Sequence, residues 1–154
     1  MPASRLYFAQ HGLAVSKSEN PDRPLSETGI KQSQAIATHI RSSDIPVSQI
    51  FHSGKLRALQ TAEIFASTLS VNALSASDHL SPDADVKRIT QTLNTNNALY
   101  IGHLPHLDKL VSYLVTDNEE PCIIKFQNSA VICLEKNNDL YHVQWYLTPE
   151  LITS

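Results

Sequence analysis

The sequence predicts an α/β fold with three layers, in which helices cover both faces of a mostly parallel sheet. Two observations support this prediction. Short apolar runs alternate with segments of helical periodicity, and the last two strand-like segments, residues 129–135 and 140–147, are joined by a polar turn without a helix. The alternation favours parallel strands and the final pair favours an antiparallel edge, so we expect a mixed sheet. The 154 residues contain no internal repeat, which predicts one domain over residues 1–154.

The first half of the chain predicts two strand–helix units. An apolar run at residues 6–9 is a buried strand, and the polar stretch 16–24, which contains two prolines, is a long loop. Ser26 is the expected N-cap of a first helix, whose inward residues are Ile30, Ile36, Ala37 and Ile40. A second strand is expected at residues 47–52, and the helix after it is predicted to bury Leu56, Leu59, Ala62, Ala66 and Leu69.

The second half predicts two further units. A weak strand at residues 71–76 is followed by a short helix that opens at Pro82 and is predicted to bury Val86, Ile89 and Leu93. Residues 98–101 are the clearest buried strand. Pro105 suits the first turn of the next helix, where proline is tolerated, and this helix is expected to bury Leu107, Leu110, Val111 and Leu114.

The composition excludes several classes of protein. Twelve Lys and Arg residues against fifteen Asp and Glu give a net charge of −3, whereas nucleic-acid-binding domains are usually basic. The 42% hydrophobic content is enough for a core, and no window reaches the roughly 18 apolar residues that span a bilayer. The N-terminus lacks the pattern of a signal peptide, so we expect a cytoplasmic protein without nucleic-acid or membrane partners.

Histidine recurs where the predicted strands end. His11 follows the first strand, His52 ends the second, and His103 follows the strand at residues 98–101. Ligands of open α/β sheets bind at the carboxyl ends of the strands, so these groups are expected at one edge, with Arg57 one turn into the next helix. Such a set suits a phosphoryl group, because a guanidinium binds phosphate oxygens and a histidine is a nucleophile or a donor. Taken alone, each residue indicates only core packing or a surface charge. Their expected position at the same edge of the sheet is the stronger evidence for a site.

Four segments in this order resemble the histidine phosphatase superfamily. They are QHG at residues 10–12, RPLSETG at residues 23–29, SGKLRALQT at residues 53–61 and GHLP at residues 102–105. The resemblance runs over most of the chain. The short length resembles the phosphohistidine phosphatases of the SixA type, which lack the large helical insertions of the phosphoglycerate mutases. The resemblance implies a phosphoglycerate-mutase-like fold and protein-histidine phosphatase activity.

The resemblance also implies roles for individual residues. His11 matches the histidine that takes the phosphoryl group onto its own nitrogen, while Arg57 and His103 match residues that bind the phosphoryl oxygens. Gly12 and Arg23 match phosphate-binding positions. Ser53 and Thr61 match positions that support the pocket. For these two, purely structural roles are an equally open interpretation, with Ser53 as a turn residue and Thr61 as a residue that packs in the helix.

Gln10 departs from the family pattern, in which this motif reads RHG. The phosphoryl group then loses one of two guanidinium clamps, although the glutamine amide still supplies two N–H donors. Charge-assisted hydrogen bonds are worth roughly 1.5–3 kcal/mol and neutral ones about 0.5–1.5, so the change would slow the reaction about tenfold. If that arginine acts mainly in the transition state, the loss would reach about 10³-fold. Gln10 is therefore expected to bind phosphate in a slow enzyme.

A general acid is hard to find in the sequence. Asp78, His79 and Asp83 lie in the segment where the superfamily often places its acid, although a solvated loop is the simpler interpretation of each. A pocket without a strong acid suits the P–N bond of phosphohistidine, because imidazole, with a pKa of about 6.5, leaves readily. The expected partner is therefore a phosphotransfer protein that carries phosphohistidine.

Two alternatives to this function remain open. The chain could be a weakened relative that only binds phosphohistidine or phosphate, which Gln10 would favour, or a phosphatase for another small phosphorylated substrate. We expect neither a metal nor a cofactor, because carboxylates are sparse at the strand ends and the histidines there already have roles. The oligomeric state is left open.

The other cysteines and histidines are expected to be structural. Cys122 and Cys133 are not in a CxxC pair, and both are predicted to lie in the core rather than in a disulfide or a zinc site. His106, three residues beyond His103, could border the pocket. Packing or surface roles are expected for His39, His52 and His142.

Overall fold

The computed structural model describes residues 2–152, which form a six-stranded sheet with helices on both faces. The strands are β1 (Arg5–Gln10), β2 (Gln49–His52), β3 (Leu74–Ala76), β4 (Ala98–Gly102), β5 (Val131–Asn137) and β6 (Leu140–Leu147). The helices are α1 (Glu27–Ser42), α2 (Leu56–Leu69), α3 (Val86–Thr90), α4 (His106–Thr116) and α5 (Pro149–Ile152), with a short 3₁₀ helix at Asp78–Leu80. None of the helices within residues 2–152 has the length and apolar content to cross a bilayer. The predicted three-layer α/β fold is confirmed.

The order of the strands in the sheet is β3-β2-β4-β1-β5-β6. The first four run parallel, and β1 pairs with β4 from Leu6↔Ala98 to Gln10↔Gly102. β5 lies antiparallel to β1 and continues into β6 through a hairpin, which confirms the antiparallel edge. The carboxyl ends of β1, β2 and β4 therefore lie side by side.

Alternate side chains of β1 face opposite cores. Leu6 and Phe8 belong to the core that includes apolar residues of α3 and α4, whereas Tyr7 and Ala9 belong to the core under α1 and α2. A strand that is buried on both faces has no polar side, which explains why the central strands are continuous apolar runs in the sequence.

The inward faces of α1 and α2 differ from the prediction at several positions. Ile30 is 40% exposed and takes no part in the core. In α2 the fully buried apolar side chains include Ala58 and Phe65, while the predicted Leu56 and Leu59 are only half-buried. The face of α2 that packs on the sheet includes a buried threonine. Because the prediction counted only apolar residues, it assigned the inward face of this helix to the wrong positions.

The short helix α3 begins at Val86, whereas the sequence predicted that it would begin at Pro82. Asp85 caps it with a side-chain oxygen that accepts from the Lys87 N–H at 3.0 Å, so residues 81–84 stay outside the helix. A side-chain oxygen at the N-cap satisfies a free backbone N–H, which a proline cannot do. Val86 and Ile89 are buried as predicted.

The two cysteines lie in different environments. Cys133 is buried in β5 as predicted, whereas Cys122 is exposed, so its assignment to the core is wrong. It lies in an irregular segment after α4, where its neighbour Ile123 is also 43% exposed. An apolar stretch without helical or strand periodicity does not predict burial, which is why the prediction for this cysteine was wrong.

The first turn of α1 is fixed to the segment that follows β1. The Ser26 hydroxyl caps the helix by accepting from the Gly29 N–H at 3.0 Å. The Ser26 N–H and hydroxyl both donate to the Leu13 carbonyl oxygen, at 2.8 and 3.0 Å. Gly29 lies so close to Leu13 that any Cβ would collide with this same oxygen. The chain that leaves β1 through His11 is therefore held against the start of α1.

We expect Gly29→Ala to lower the free energy of unfolding by about 1–3 kcal/mol, because the added methyl group must displace the Leu13 backbone. Gly102→Ala is the matched control, since a Cβ there meets no atom closer than 3.7 Å. Its unfolding free energy should stay within about 0.5 kcal/mol of the parent protein or rise slightly. Urea unfolding measures both variants. A Gly29→Ala protein as stable as the parent would show that this contact is not tight.

Candidate active site

The carboxyl edge of the sheet brings His11, His103 and Arg57 together. His11 directly follows β1, and its N–H donates to the Gly102 carbonyl oxygen at 3.1 Å. The rings of His11 and His103 are 4.8 Å apart between centroids and tilted by 47°. Arg57 lies in the first turn of α2, close enough for its charge to act on both rings. The order of motifs in the sequence therefore corresponds to one cluster in space.

His11 is a neutral imidazole in one defined tautomer. Its Nδ1 lies 2.7 Å from the Gly12 carbonyl oxygen, which can only accept, so Nδ1 carries the proton and Nε2 keeps its lone pair. The side chain is 8% exposed, and this burial lowers its pKa to about 4. The Gly12 carbonyl opposes the shift in pKa, while the positive charges of Arg57 and Arg23 add to it. At neutral pH the His11 Nε2 is therefore available as a nucleophile.

His103 is also buried and neutral. Burial lowers its pKa to about 3, and the charges of His11, Arg57 and Lys55 act in the same direction. Its Nε2 lies 2.6 Å from the Ser53 hydroxyl oxygen, and its Nδ1 has no hydrogen-bond partner within residues 2–152. Of the two roles that the sequence left open for Ser53, the contact with this ring favours support of the pocket.

Arg57 and Arg23 bring positive charge to this edge without a carboxylate to balance it. Both ion pairs found within residues 2–152 lie elsewhere in the fold. The Arg57 Nε is buried without a partner, and burial, together with the charge of Arg23, lowers the pKa of this guanidinium. Arg23 donates through Nε to the Val15 carbonyl oxygen at 3.1 Å, and its φ of 50° lies in the left-handed region. Guanidinium groups without a carboxylate partner, beside two neutral imidazoles, suit a phosphate-like dianion.

Gly12 connects the histidine to the helix that carries the arginine. Its N–H donates to the Thr61 hydroxyl oxygen at 2.8 Å, and this hydroxyl donates to the Arg57 carbonyl oxygen at 2.7 Å. A Cβ on Gly12 would lie 2.8 Å from the Ser33 hydroxyl and 3.1 Å from that of Ser129, so no side chain fits. Thr61 is therefore a polar link between β1 and α2, which favours the supporting role over helix packing alone.

Gln10 is the last residue of β1, and its side chain is half-buried. Its Oε1 is enclosed and has no hydrogen-bond partner in the part of the chain that the structure describes. A buried acceptor without a donor costs roughly 1–3 kcal/mol, so this oxygen requires a donor from a ligand or water. The glutamine thus adds an acceptor to an edge where the family's arginine would add only donors.

The segment before β5 contributes residues that the sequence did not indicate. The Asn128 side chain donates to the His11 carbonyl oxygen at 3.0 Å, and the Ser129 N–H donates to the Gln10 carbonyl oxygen at 3.0 Å. The Ser129 hydroxyl also lies 2.8 Å from that of Ser33. These contacts join residues more than 90 positions apart, and an Asn-Ser pair before a strand indicates only a turn.

The three acid candidates lie in a separate segment of the chain, after β3. Asp78 and His79 belong to the 3₁₀ helix, and Asp83 follows it on the surface. Within residues 2–152 none of them forms a hydrogen bond or an ion pair with His11 or Arg57. The site therefore has a nucleophile and cations but no carboxylic acid in contact with them.

Comparison with known proteins relates this geometry to a family. A model of the histidine phosphatase superfamily (branch 1) matches residues 6–80, which run from β1 to the 3₁₀ helix. The chain is 25% identical to the phosphohistidine phosphatase SixA of Escherichia coli strain K12 in an alignment 153 positions long that covers 94% of each chain.

Solved structures share the fold across most of the chain. The protein histidine phosphatase SixA in complex with tungstate has a TM-score of 0.85 at 22% identity and covers 96% of this chain and 98% of its own. The alpha-ribazole phosphatase from Shigella flexneri has a TM-score of 0.77 at 16% identity and covers 94% of this chain and 96% of its own. The same architecture thus occurs in phosphatases with different substrates.

Thr61→Val should lower the free energy of unfolding by about 1–3 kcal/mol, because it leaves the buried Gly12 N–H without an acceptor. Thr61→Ser keeps the hydroxyl and should recover most of this loss. Urea unfolding, together with the affinity for tungstate as a phosphate mimic, measures both effects. A valine variant that matches the serine variant in stability and affinity would contradict the link.

We expect His11 and His103 to stay neutral down to about pH 5 in the free protein, because burial lowers their pKa values to about 4 and about 3. Histidines of the unfolded chain have pKa values of about 6.5, so below about pH 6.5 the unfolded chain binds more protons than the folded protein does. Both residues should therefore destabilise the fold as pH falls from about 6.5. A bound dianion should raise both pKa values. NMR titration of the ring protons, with and without tungstate, checks this, and ring titration near 6.5 in the free protein would contradict it.

Proposed function

We propose that the chain is a member of the histidine phosphatase superfamily that removes phosphoryl groups from phosphohistidine in a protein, because a model of that superfamily matches residues 6–80 and a phosphohistidine phosphatase is similar over most of the chain. One observation supports this above all: the neutral His11 ring, with its proton fixed on Nδ1, lies among guanidinium groups that have no counter-charge. The similarity to a phosphohistidine phosphatase over most of the chain supports the same substrate class. The proposed partner is a cytoplasmic phosphotransfer protein.

In the first step the His11 Nε2 attacks the phosphorus in line with the P–N bond of the substrate. A bond forms between Nε2 and phosphorus while the P–N bond to the substrate histidine breaks. When its other nitrogen is protonated, the substrate histidine leaves as neutral imidazole. The Gly12 carbonyl keeps its hydrogen bond to Nδ1–H, which stabilises the positive charge that develops on the His11 ring. Arg57, His103 and Gln10 bind the equatorial oxygens in this proposal.

In the second step water attacks the phosphorus of phosphorylated His11. The P–N bond to His11 breaks, inorganic phosphate is released, and His11 returns to its neutral tautomer with the lone pair on Nε2. The acceptor oxygen of Gln10 has no partner among the described residues and can orient an O–H of this water. Both steps use only groups of the chain, substrate and water.

The absence of an acid in contact with the described cluster favours a P–N bond over a phosphate monoester. An alcohol leaving group needs a proton in the transition state, whereas imidazole, with a pKa of about 6.5, leaves without strong assistance. Within residues 2–152, Asp78, His79 and Asp83 form no hydrogen bond to His11 or Arg57, so the contacts of the site give none of the three a role as its acid. A small phosphorylated substrate remains the second candidate, since an alpha-ribazole phosphatase shares the fold.

His11→Ala should abolish the loss of phosphate from a phosphohistidine-bearing phosphotransfer protein, because it removes the nucleophile. His39→Ala is the matched control: His39 is exposed on α1, and its loss should leave the rate unchanged. The assay follows labelled phosphate with the purified protein. Phosphate release that survives in His11→Ala would contradict the mechanism. Cleavage of a small phosphate monoester in place of phosphohistidine would show that the substrate class is wrong.

Gln10→Arg should raise the rate of this reaction about tenfold, because it restores a charge-assisted hydrogen bond to the phosphoryl group. The single-turnover rate on the same substrate measures this effect without a contribution from product release. An inert parent protein with an active Gln10→Arg variant would instead identify a disabled relative that only binds its ligand. A slower variant would show that the glutamine oxygen matters more than the missing charge.

A further inference from the structure

A third basic side chain, that of Lys55, joins Arg57 and Arg23 at the carboxyl edge of the sheet. Lys55 is the N-cap residue of α2 and lies two positions before Arg57. Its N–H donates to the Ser53 hydroxyl oxygen at 3.3 Å, and the same hydroxyl lies 2.6 Å from the Nε2 of His103. Two successive hydrogen bonds thus connect the backbone of Lys55 to a ring of the candidate active site.

The turn between β2 and α2 holds Lys55 at the surface. The Gly54 N–H donates to the Nδ1 of His52 at 3.1 Å, and the φ of Gly54 is 90°, in the left-handed region. A Cβ on Gly54 would meet no atom within 4 Å, so the turn borders open space. The side chain of Lys55 is exposed, and its flexible four-carbon stem has room to turn toward a ligand at the two histidines.

The charge of Lys55 is not neutralised by the protein. Within residues 2–152 its ammonium group forms neither an ion pair nor a hydrogen bond. Burial is the main cause that lowers the pKa of His103, and the positive charge of Lys55 lowers it further. The ammonium group therefore acts on one of the two rings between which the phosphoryl group is proposed to bind.

The first turn of α2 also lacks an anion. No side chain caps this helix, and its first turn contains no acidic residue. In the described part of the chain no acceptor is found for the N–H groups of Leu56 and Arg57, or for the buried Nε of Arg57. Free N–H groups at the start of a helix favour an anion. One anion bound at Arg57 would satisfy these donors and balance the charge of Lys55 at the same time.

A phosphoryl group carries two negative charges, and Gln10 offers it no positive charge. We propose that the Lys55 ammonium group binds a phosphoryl oxygen and supplies the second charge-assisted hydrogen bond, in addition to that of Arg57. This inference rests on the proposed function. Gln10 ends β1 and Lys55 follows β2, with β4 between these two strands, so the two side chains meet the phosphoryl group from opposite sides.

Lys55→Gln removes the charge and keeps two N–H donors. It should lower the affinity for tungstate and the single-turnover rate on the phosphohistidine-bearing phosphotransfer protein by about tenfold each. Lys55→Arg keeps a cation and should recover most of both losses. The exposed side chain takes no part in capping α2, so neither change disturbs the fold.

The matched control is Lys87→Gln, which makes the same change in net charge at an exposed lysine of α3. This variant should keep the affinity and the rate of the parent protein. A Lys55→Gln protein that behaves like Lys87→Gln would overturn the inference. A Lys55→Arg protein as weak as Lys55→Gln would also overturn it, because the charge would then not matter.

The same measurements at about 1 M salt separate direct binding from the effect of a distant charge. The Debye length is about 3 Å at this salt concentration, so the field of a lysine that does not touch the ligand is screened. A loss of affinity in Lys55→Gln that persists at high salt supports the contact. A loss that disappears there would overturn it.

A double-variant cycle tests whether Lys55 compensates for the glutamine at position 10. Gln10→Arg should raise the single-turnover rate by a larger factor in the Lys55→Gln background than in the parent protein, because residues that act on the same group are not additive. Equal factors in the two backgrounds would overturn the compensation.

Tungstate binding separates this inference from the proposed function, because it requires no hydrolysis. Weaker tungstate binding by Lys55→Gln, in a parent protein that does not hydrolyse phosphohistidine, would support the role of Lys55 and overturn the phosphatase. Hydrolysis that Lys55→Gln leaves unchanged would do the reverse. If the parent protein neither binds tungstate nor hydrolyses phosphohistidine, both proposals fail.

Discussion

The backbone of Gly12 is the point on which the arrangement of this site depends. Its carbonyl oxygen fixes the proton of His11 on Nδ1, and its N–H is bound by Thr61, which also binds the carbonyl of Arg57. This one residue thus determines which nitrogen of the histidine can react and how far the strand lies from the helix that carries the arginine. The surrounding serine hydroxyls approach so closely that only glycine fits. A side chain at this position would change the tautomer and the geometry together.

The second feature of the site is polar groups that are buried without partners. Within residues 2–152 no hydrogen-bond partner is found for the Arg57 Nε, the His103 Nδ1 or the Gln10 Oε1. The imidazoles of the site are neutral although positive charge lies nearby. Each such group destabilises the folded protein, by roughly 1–3 kcal/mol for a neutral one. A phosphoryl dianion would satisfy the donors and stabilise the protonated forms of the histidines. A charged ligand that satisfies these groups would therefore stabilise the folded protein.

The sequence predicted the fold and the main cluster better than it predicted their details. The apolar runs and the residues that end them placed His11 and His103 at one edge, because parallel strands share their carboxyl ends. It missed the role of Asn128, since no local pattern relates it to a carbonyl on a distant strand. Cys122 was wrongly assigned to the core because apolar neighbours in irregular chain do not imply burial. The free acceptor of Gln10 depends on side-chain surroundings that spacing alone cannot supply.

The central claim is that His11 takes the phosphoryl group on Nε2, because the Gly12 carbonyl keeps the proton on Nδ1. The most direct measurement is a rapid quench of the protein with a phosphohistidine substrate in alkali, where phosphohistidine is stable, followed by ³¹P and ¹⁵N NMR of the labelled enzyme. We expect one phosphoryl group on the Nε2 of His11, absent in His11→Ala. Phosphorylation on Nδ1, on another residue, or release of phosphate without any phosphorylated enzyme would contradict the account.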